Sequence, residues 1–170
     1  LIASVLCPDP VMYIDDRWLY EQEAELPSVN ELDLTEQKPL ITRIGSDITI
    51  VASGHASLLA REASDILADK AISAEIIDIR VLNPFDVEDI VSSVIKTRNL
   101  LVVDSGTLSG GFSGEVVTKI IENIPANCLR KSPVRIALPD APAPTSRVLE
   151  KNYYLSKEDV VNAAKKILDS

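Results

Sequence analysis

Apolar residues along this chain fall into two periods, and the periods alternate. The densest stretch is Ala74-Glu-Ile-Ile-Asp-Ile-Arg-Val-Leu-Asn-Pro-Phe-Asp86. Ile76, Ile77 and Ile79 are β-branched and apolar, as a buried strand requires. Asp78 and Arg80 break the run, and Pro84 blocks any continuing ladder hydrogen bond. Asp86 is then predicted to N-cap a helix with Val87, Ile90, Val91, Val94 and Ile95 as its apolar stripe. The same grammar recurs on both sides. Ile48 to Ser53 reads as a strand, with helix-period residues following at Leu59, Ala63, Ile66 and Leu67. Leu100 to Val103 is the next strand. The glycine-rich turn Ser109-Gly-Gly-Phe-Ser-Gly114 then opens a helix with Val116, Val117, Ile120, Ile121 and Ile124 facing inward. Val134 to Ala137 is one more strand. Ser156, with Asp159 three residues on, forms a capping box for the last helix. Strand–helix alternation of this kind predicts a mostly parallel sheet with helices on both faces and right-handed crossovers. Continuous apolar strands fit burial on both sides.

The amino-terminal third is less regular. Val11 to Ile14 is predicted as a short strand. Glu21 to Pro39 has no sustained period and reads as an acidic arm over the surface. Ile41 to Ile44 and Ile48 to Ser53, separated by Gly45-Ser-Asp47, read locally as a hairpin.

Composition narrows the function. The chain has 170 residues, 46% of them apolar, which suits a globular domain with its own core. A formal charge of −9 disfavours nucleic acid and anionic membrane as partners. No apolar run approaches the roughly 20 residues that cross a bilayer. Leu1 to Leu6 is too short for a signal peptide and lacks its basic flank. A start in mid-pattern, without methionine, is expected of a fragment. Cys7 and Cys128 form no CxxC and read as reduced thiols of a cytoplasmic protein.

In parallel sheets ligands gather at the carboxyl ends of the strands. Those ends carry Gly54-His55, Arg80, Asp104-Ser-Gly106 and Leu138-Pro-Asp140. His55, the only histidine, reads either as an acid/base group or as a hydrogen-bonded structural residue. Arg80 reads either as an anion contact or as the partner of Asp78, Asp86 or Asp104. The turn around Gly110, Gly111 and Phe112 either cradles a phosphate at a helix N-terminus or serves close backbone packing. It matches neither GxGxxG nor a P-loop. Trp18 and Tyr20, each apolar with a polar tip, serve an interface or cap the domain's own core. The residues alone assemble no complete catalytic set.

Four blocks in order carry a resemblance. They are Asp47-Ile-Thr-Ile-Val-Ala-Ser-Gly54, Ala74 to Asp86, Lys96-Thr-Arg-Asn-Leu-Leu-Val-Val-Asp104 and Gly110-Gly-Phe-Ser-Gly-Glu115. Together they resemble the transketolase C-terminal domain. Tyr13-Ile-Asp-Asp-Arg-Trp-Leu-Tyr20 and Pro142-Ala-Pro144 are similar to the beta subunit of the decarboxylase component of 2-oxoacid dehydrogenases, of pyruvate or branched-chain type. Deoxyxylulose phosphate synthase and transketolase itself are more distant. The resemblance implies a three-layer α/β/α domain with a mostly parallel five-stranded mixed sheet. Its one antiparallel strand is Ile41 to Ile44, which then need not pair with its sequence neighbour. It also implies that residues 1–20 are the tail of a pyrimidine-binding domain, 21–40 the acidic connector, and 41–170 the transketolase C-terminal-like domain.

The parent enzymes use thiamine diphosphate and magnesium, held by regions outside this chain. No catalytic, cofactor-binding or metal residue is therefore expected here. Ser105 stands where many relatives carry an acidic residue. The implied role is subunit assembly: contacts with a preceding domain, an alpha subunit and an acyltransferase core, and homodimerisation. Trp18, Tyr20, Phe112 and Pro139 to Pro144 are the expected contributors. The rival reading is a free-standing α/β module that binds a small anion.

Overall fold

A computed structural model describes residues 1–23, 25 and 33–169. Five strands form one sheet in the order β1-β3-β2-β4-β5. They are β1 (Leu40–Arg43), β2 (Ile48–Ala52), β3 (Ala74–Asp78), β4 (Leu100–Thr107) and β5 (Val134–Leu138). The pairs β2/β3, β2/β4 and β4/β5 are parallel, and β1 runs antiparallel to β3. The longer helices are α2 (His55–Ala68), α3 (Glu88–Thr97), α4 (Phe112–Asn123) and α6 (Lys157–Leu168), with short α1 (Ile2–Leu6) and α5 (Arg147–Tyr153). The architecture is the expected mixed, mostly parallel sheet flanked by helices.

Period-two alternation divides each central strand between two cores. Ile48, Ile50 and Ala52 of β2, with Ile76 of β3 and Leu101 and Val103 of β4, meet α2 and α6. Val51, Ile77, Leu100 and Val102 point the other way, against Ile90 and Val94 of α3 and Val116 and Ile120 of α4. All five residues of β2 are buried. Fully burying each such isoleucine or valine contributes about 1.5–3 kcal/mol relative to exposure. The small residues Ala56, Ala60 and Ala63 on α2 and Ala164 on α6 are all buried and let these helices lie close to the sheet. The box of Ser156 and Asp159 caps α6 as predicted.

Four local readings are corrected. Val11 to Ile14 is not a strand; the chain there is irregular and pairs with no strand of the sheet. β1 does not form a hairpin with β2. It crosses to the far side of β3, pairing Leu40 with Asp78 and Ile41 with Ile77, because β3 offers an open edge that β2 lacks. Asp86 lies outside the helix it was to cap: α3 starts at Glu88, and the Asp86 carboxylate accepts from the Glu88 amide at 2.8 Å. Ile95 on α3 and Ile121 on α4 are exposed, since the sheet covers only the Ile90–Val94 side of α3 and the Val116–Ile120 side of α4. Within the proposed connector, residues 24 and 26–32 lie outside the described residues.

A polar layer sits beneath α3 at the amino end of the strands. Thr49 Oγ1 lies 2.7 Å from both Ser93 Oγ and Thr97 Oγ1. Asn99 Nδ2 donates to the Asp47 carbonyl at 2.7 Å. Glu75, only 2% exposed, accepts from Lys96 Nζ and, at 3.1 Å, from the Gly45 amide. Buried polar groups are tolerable when they are paired in this way.

Candidate functional site

The carboxyl edge of the sheet is where β2, β3 and β4 deliver the chain into the N-termini of helices. At α2, Gly54 adopts φ +56°, and the first amide, that of His55, donates to Asp16 Oδ2 at 2.9 Å. At α4, the side chain of Asp104, within β4, reaches the turn and the helix start. Its Oδ1 accepts from the Gly106 amide at 2.8 Å and its Oδ2 from the Ser113 amide at 2.7 Å. A helix N-terminus attracts negative charge through its free amides and dipole. Here the chain's own carboxylates supply that charge at both helices.

Under the start of α4, against the carboxyl ends of the strands, lies a cavity of about 10 Å³, lined by Ala52, Ser53, Ile79, Asp104, Phe112 and Ser113 among others. Among the described residues, no cluster of three or more His, Cys, Asp or Glu side chains is placed to hold a metal. Ser113 Oγ is buried here without a hydrogen-bond partner. An orphaned hydroxyl carries an uncompensated desolvation cost. Ser113→Ala is therefore expected to raise stability by about 0.5–1 kcal/mol, read from urea denaturation. A loss of stability would mean that the hydroxyl has a partner in solution.

The residues singled out from the sequence are distributed along this edge. The His55 ring stacks on Trp18, with centroids 5.6 Å apart. Arg80 makes no contact ion pair with Asp78, Asp86 or Asp104. Its Nη2 donates to the Lys38 carbonyl at 2.6 Å, and Lys38 in turn bonds Glu88 at 2.9 Å. Arg80 thus ties the end of the arm to the end of β3, and Lys38 ties it to the start of α3. Asp78, at the end of β3, is bonded by Ser57 Oγ at 2.5 Å. Burial pushes the Asp78 carboxyl above its usual range, opposed by Ser57 and by the charge of Arg80. Phe112 packs edge-on against Phe85 at 5.4 Å within the α3/α4 core. Trp18 and Tyr20 are 60% and 64% exposed, and Tyr20 bonds Asp15. Within the Pro139 to Pro144 segment, Asp140 accepts from the amide and hydroxyl of Ser109 at 3.0 and 2.6 Å. This ties the segment to the glycine turn.

Reading the sequence missed Asp16, Lys38, Ser57 and Ser113. The contacts of Asp16 and Lys38 span 39 and 42 residues, and no local pattern signals them. Asp104 had a signal, an acidic residue ending a strand just before a glycine turn.

The two central glycines of the turn play different parts. Gly110 has φ +71°, and a Cβ there would meet nothing within 4 Å. Gly111 has an ordinary φ, but its Cβ would fall 2.1 Å from the Thr107 carbonyl oxygen. Gly110→Ala is expected to cost about 1 kcal/mol through the left-handed backbone. Gly111→Ala should cost about 1–2 kcal/mol, because the exposed Thr107 turn must shift. Unchanged urea midpoints in both variants would reject this assignment.

The family described as "Transketolase, C-terminal domain" matches residues 37–160. The chain is 31% identical over 168 residues to the pyruvate dehydrogenase E1 component subunit beta of Mesostigma viride, covering 99% of this chain and 51% of that protein. It is 32% identical over 164 residues to the mitochondrial counterpart of Bos taurus, covering 95% and 46%. To the 2-oxoisovalerate dehydrogenase subunit beta 2 of Arabidopsis thaliana it is 31% identical over 166 residues, covering 96% and 45%. The chain thus spans about half the length of these relatives. Among solved structures, a split-gene transketolase described as an inactive beta4 tetramer superposes with a TM-score of 0.64 at 28% identity, covering 78% of this chain and 41% of that one. A 2-oxoglutarate:ferredoxin oxidoreductase from Magnetococcus marinus, at 15% identity and TM-score 0.54, shares the fold. With its four sequence blocks, its sheet order and a match over most of its length, the chain belongs to the transketolase C-terminal domain family.

Proposed function

We propose that this chain is the C-terminal assembly domain of a thiamine diphosphate-dependent 2-oxoacid dehydrogenase beta subunit. The parent enzyme would decarboxylate a 2-oxoacid and pass the acyl group to a lipoyl carrier. Residues 1–20 would belong to a preceding pyrimidine-binding domain and residues 21–40 to a connector. The partners would be that domain, an alpha subunit, an acyltransferase core and a second copy of the chain.

The observation that carries this reading is the filling of both helix N-termini at the carboxyl edge by Asp16 and Asp104. Those are the positions this sheet topology offers to a phosphate-bearing ligand. Carboxylates there repel a diphosphate, and the cavity beside Asp104 is far smaller than a cofactor. These residues do not fit thiamine diphosphate with magnesium. They also argue against the rival anion-binding module, as does the engagement of Arg80 with a backbone carbonyl. The domain offers surface instead. Leu1, Val5, Leu6, Met12, Tyr13 and Ile14 are exposed along the amino-terminal stretch, and Ile44 beyond β1 is exposed too. Apolar groups grouped in this way mark a protein contact.

A transketolase parent is the second reading, favoured by the likeness to the split-gene transketolase. In either case the chain alone should give no saturable heat with thiamine diphosphate and magnesium at micromolar concentration, and should self-associate in sedimentation velocity. Micromolar cofactor binding, turnover of a 2-oxoacid, or a strict monomer at high concentration would count against the assembly role.

A further inference from the structure

We propose that Asp16, Trp18 and His55 form a clasp that fastens the amino-terminal arm across the start of α2 and so fixes the course of the chain from residue 14 to residue 20. One carboxylate joins two elements. Asp16 Oδ1 accepts from the Trp18 amide at 3.1 Å, closing the short 3-10 turn Arg17–Leu19. Its Oδ2 accepts from the His55 amide, one of the α2 amides that have no partner within the helix. The fit depends on Gly54. A Cβ at that residue would lie 3.2 Å from Asp16 Oδ2, and its φ of +56° turns the His55 amide outward.

The ring contacts extend the same fastening. Trp18 stacks on His55 at an interplanar angle of 26° and meets Tyr154 edge-on at 5.6 Å. Tyr154 packs against Tyr153, whose hydroxyl donates to the Ala141 carbonyl at 2.8 Å. A row of four rings thus spans from the start of α2 to the junction of α5 and α6. The arm before the clasp has little hold of its own. α1 buries no residue, and Met12 and Ile14 are 86% and 69% exposed. Segments with few buried contacts open locally at low cost, so the clasp governs whether the arm lies in place. It also holds the apolar strip Met12 to Ile14 facing outward, as a strap with a fastened inner side.

The test uses two features of the chain. Trp18 is its only tryptophan, and Arg17 offers trypsin a site inside the clasp. Asp16→Ala removes the cap and His55→Ala removes the ring while keeping the amide. Each is expected to speed cleavage after Arg17 by about five- to tenfold, and to lower the steady-state anisotropy of Trp18. If the two groups act as one clasp, the double variant gains less than the product of the singles. Unchanged cleavage and anisotropy in both singles would overturn the proposal, as would a multiplicative double variant. Should Asp16→Ala unfold the domain, cleavage would appear at many sites at once. Trp18→Leu, at an exposed position outside the core, then decides by the same Arg17 cleavage: faster cutting supports the clasp, and an unchanged rate rejects it.

Discussion

Gly45→Ala is expected to destabilise the domain by about 3–4 kcal/mol. The reason lies in the sheet order. β1 pairs with β3, yet the next strand in the chain is β2, on the other side of β3. The connection must therefore cross the amino end of β3, and Gly45 is the crossing point. A Cβ there would sit 2.2 Å from the Ala74 carbonyl carbon and 2.3 Å from the Glu75 nitrogen. Both atoms are backbone in a central strand, and a rotamer change cannot relieve the clash. Neighbouring bonds hold the crossing in place: the Ser46 and Asp47 amides donate to the Ser73 carbonyl at 3.0 and 2.8 Å, and the Ser73 amide donates to Asp47 Oδ2 at 2.7 Å. Moving the crossing outward also stretches the bond from the Gly45 amide to Glu75. Urea denaturation should give a much lower midpoint with an unchanged slope. A shift equivalent to less than about 1 kcal/mol would mean that the crossing is loose.

Lys96→Met should cost about 2–3 kcal/mol at pH 7, with a pH dependence of recognisable sign. Glu75 is buried on β3 while Lys96 is 47% exposed. Burial by itself raises the Glu75 carboxyl. Hydrogen bonds from Lys96, Ser93 and the Gly45 amide, with the charge of Lys96, outweigh it and hold the group below its ordinary value of 4.5. A carboxylate depressed on folding contributes stability above its unfolded pKa, and that contribution is lost as pH falls through the folded value. Without Lys96, burial dominates and the shift changes sign. The charged Glu75 then costs stability at neutral pH, and acidification relieves the cost. The gap between wild type and variant should therefore be widest near pH 7 and close as the pH falls, first through the raised value in the variant and then through the lowered value in the wild type. Breaking a fully buried pair costs about 3–5 kcal/mol, and the half-exposed lysine keeps this case below that range. Glu75→Gln with Lys96→Met should recover part of the loss, since no charge is then stranded. A gap that is constant from pH 7 to pH 4 would mean that Glu75 is not the source.

The self-capped carboxyl edge relates the candidate site to the proposed role. Parallel α/β sheets commonly bind ligands at this edge because loose loops meet unsatisfied helix amides. Here Asp104 closes one helix from the adjacent strand and Asp16 closes another from a distant arm. Such an edge suits a domain that orders its neighbours while the chemistry happens elsewhere.

Local pattern suffices for the repeated strand–helix order, the two-faced burial of β2, β3 and β4, the capping box of α6 and the glycine turn before α4. Each rests on interactions within a few residues or on a period of 2 or 3.6, and those are written locally. The four blocks also carried the family. Where β1 pairs depends on contacts distant in sequence. Gly45-Ser-Asp47 looks like a hairpin turn to any local reading, because the residues that favour tight turns also suit a tight crossing. The structure alone likewise moved Phe112 against Phe85, turned Arg80 to the Lys38 carbonyl and brought Asp16 to His55. Those partners lie 27, 42 and 39 residues apart. A carboxylate meets a distant amide only after the sheet has brought both chain ends to one edge. Nothing in the pattern around Asp16 marks the helix it would cap.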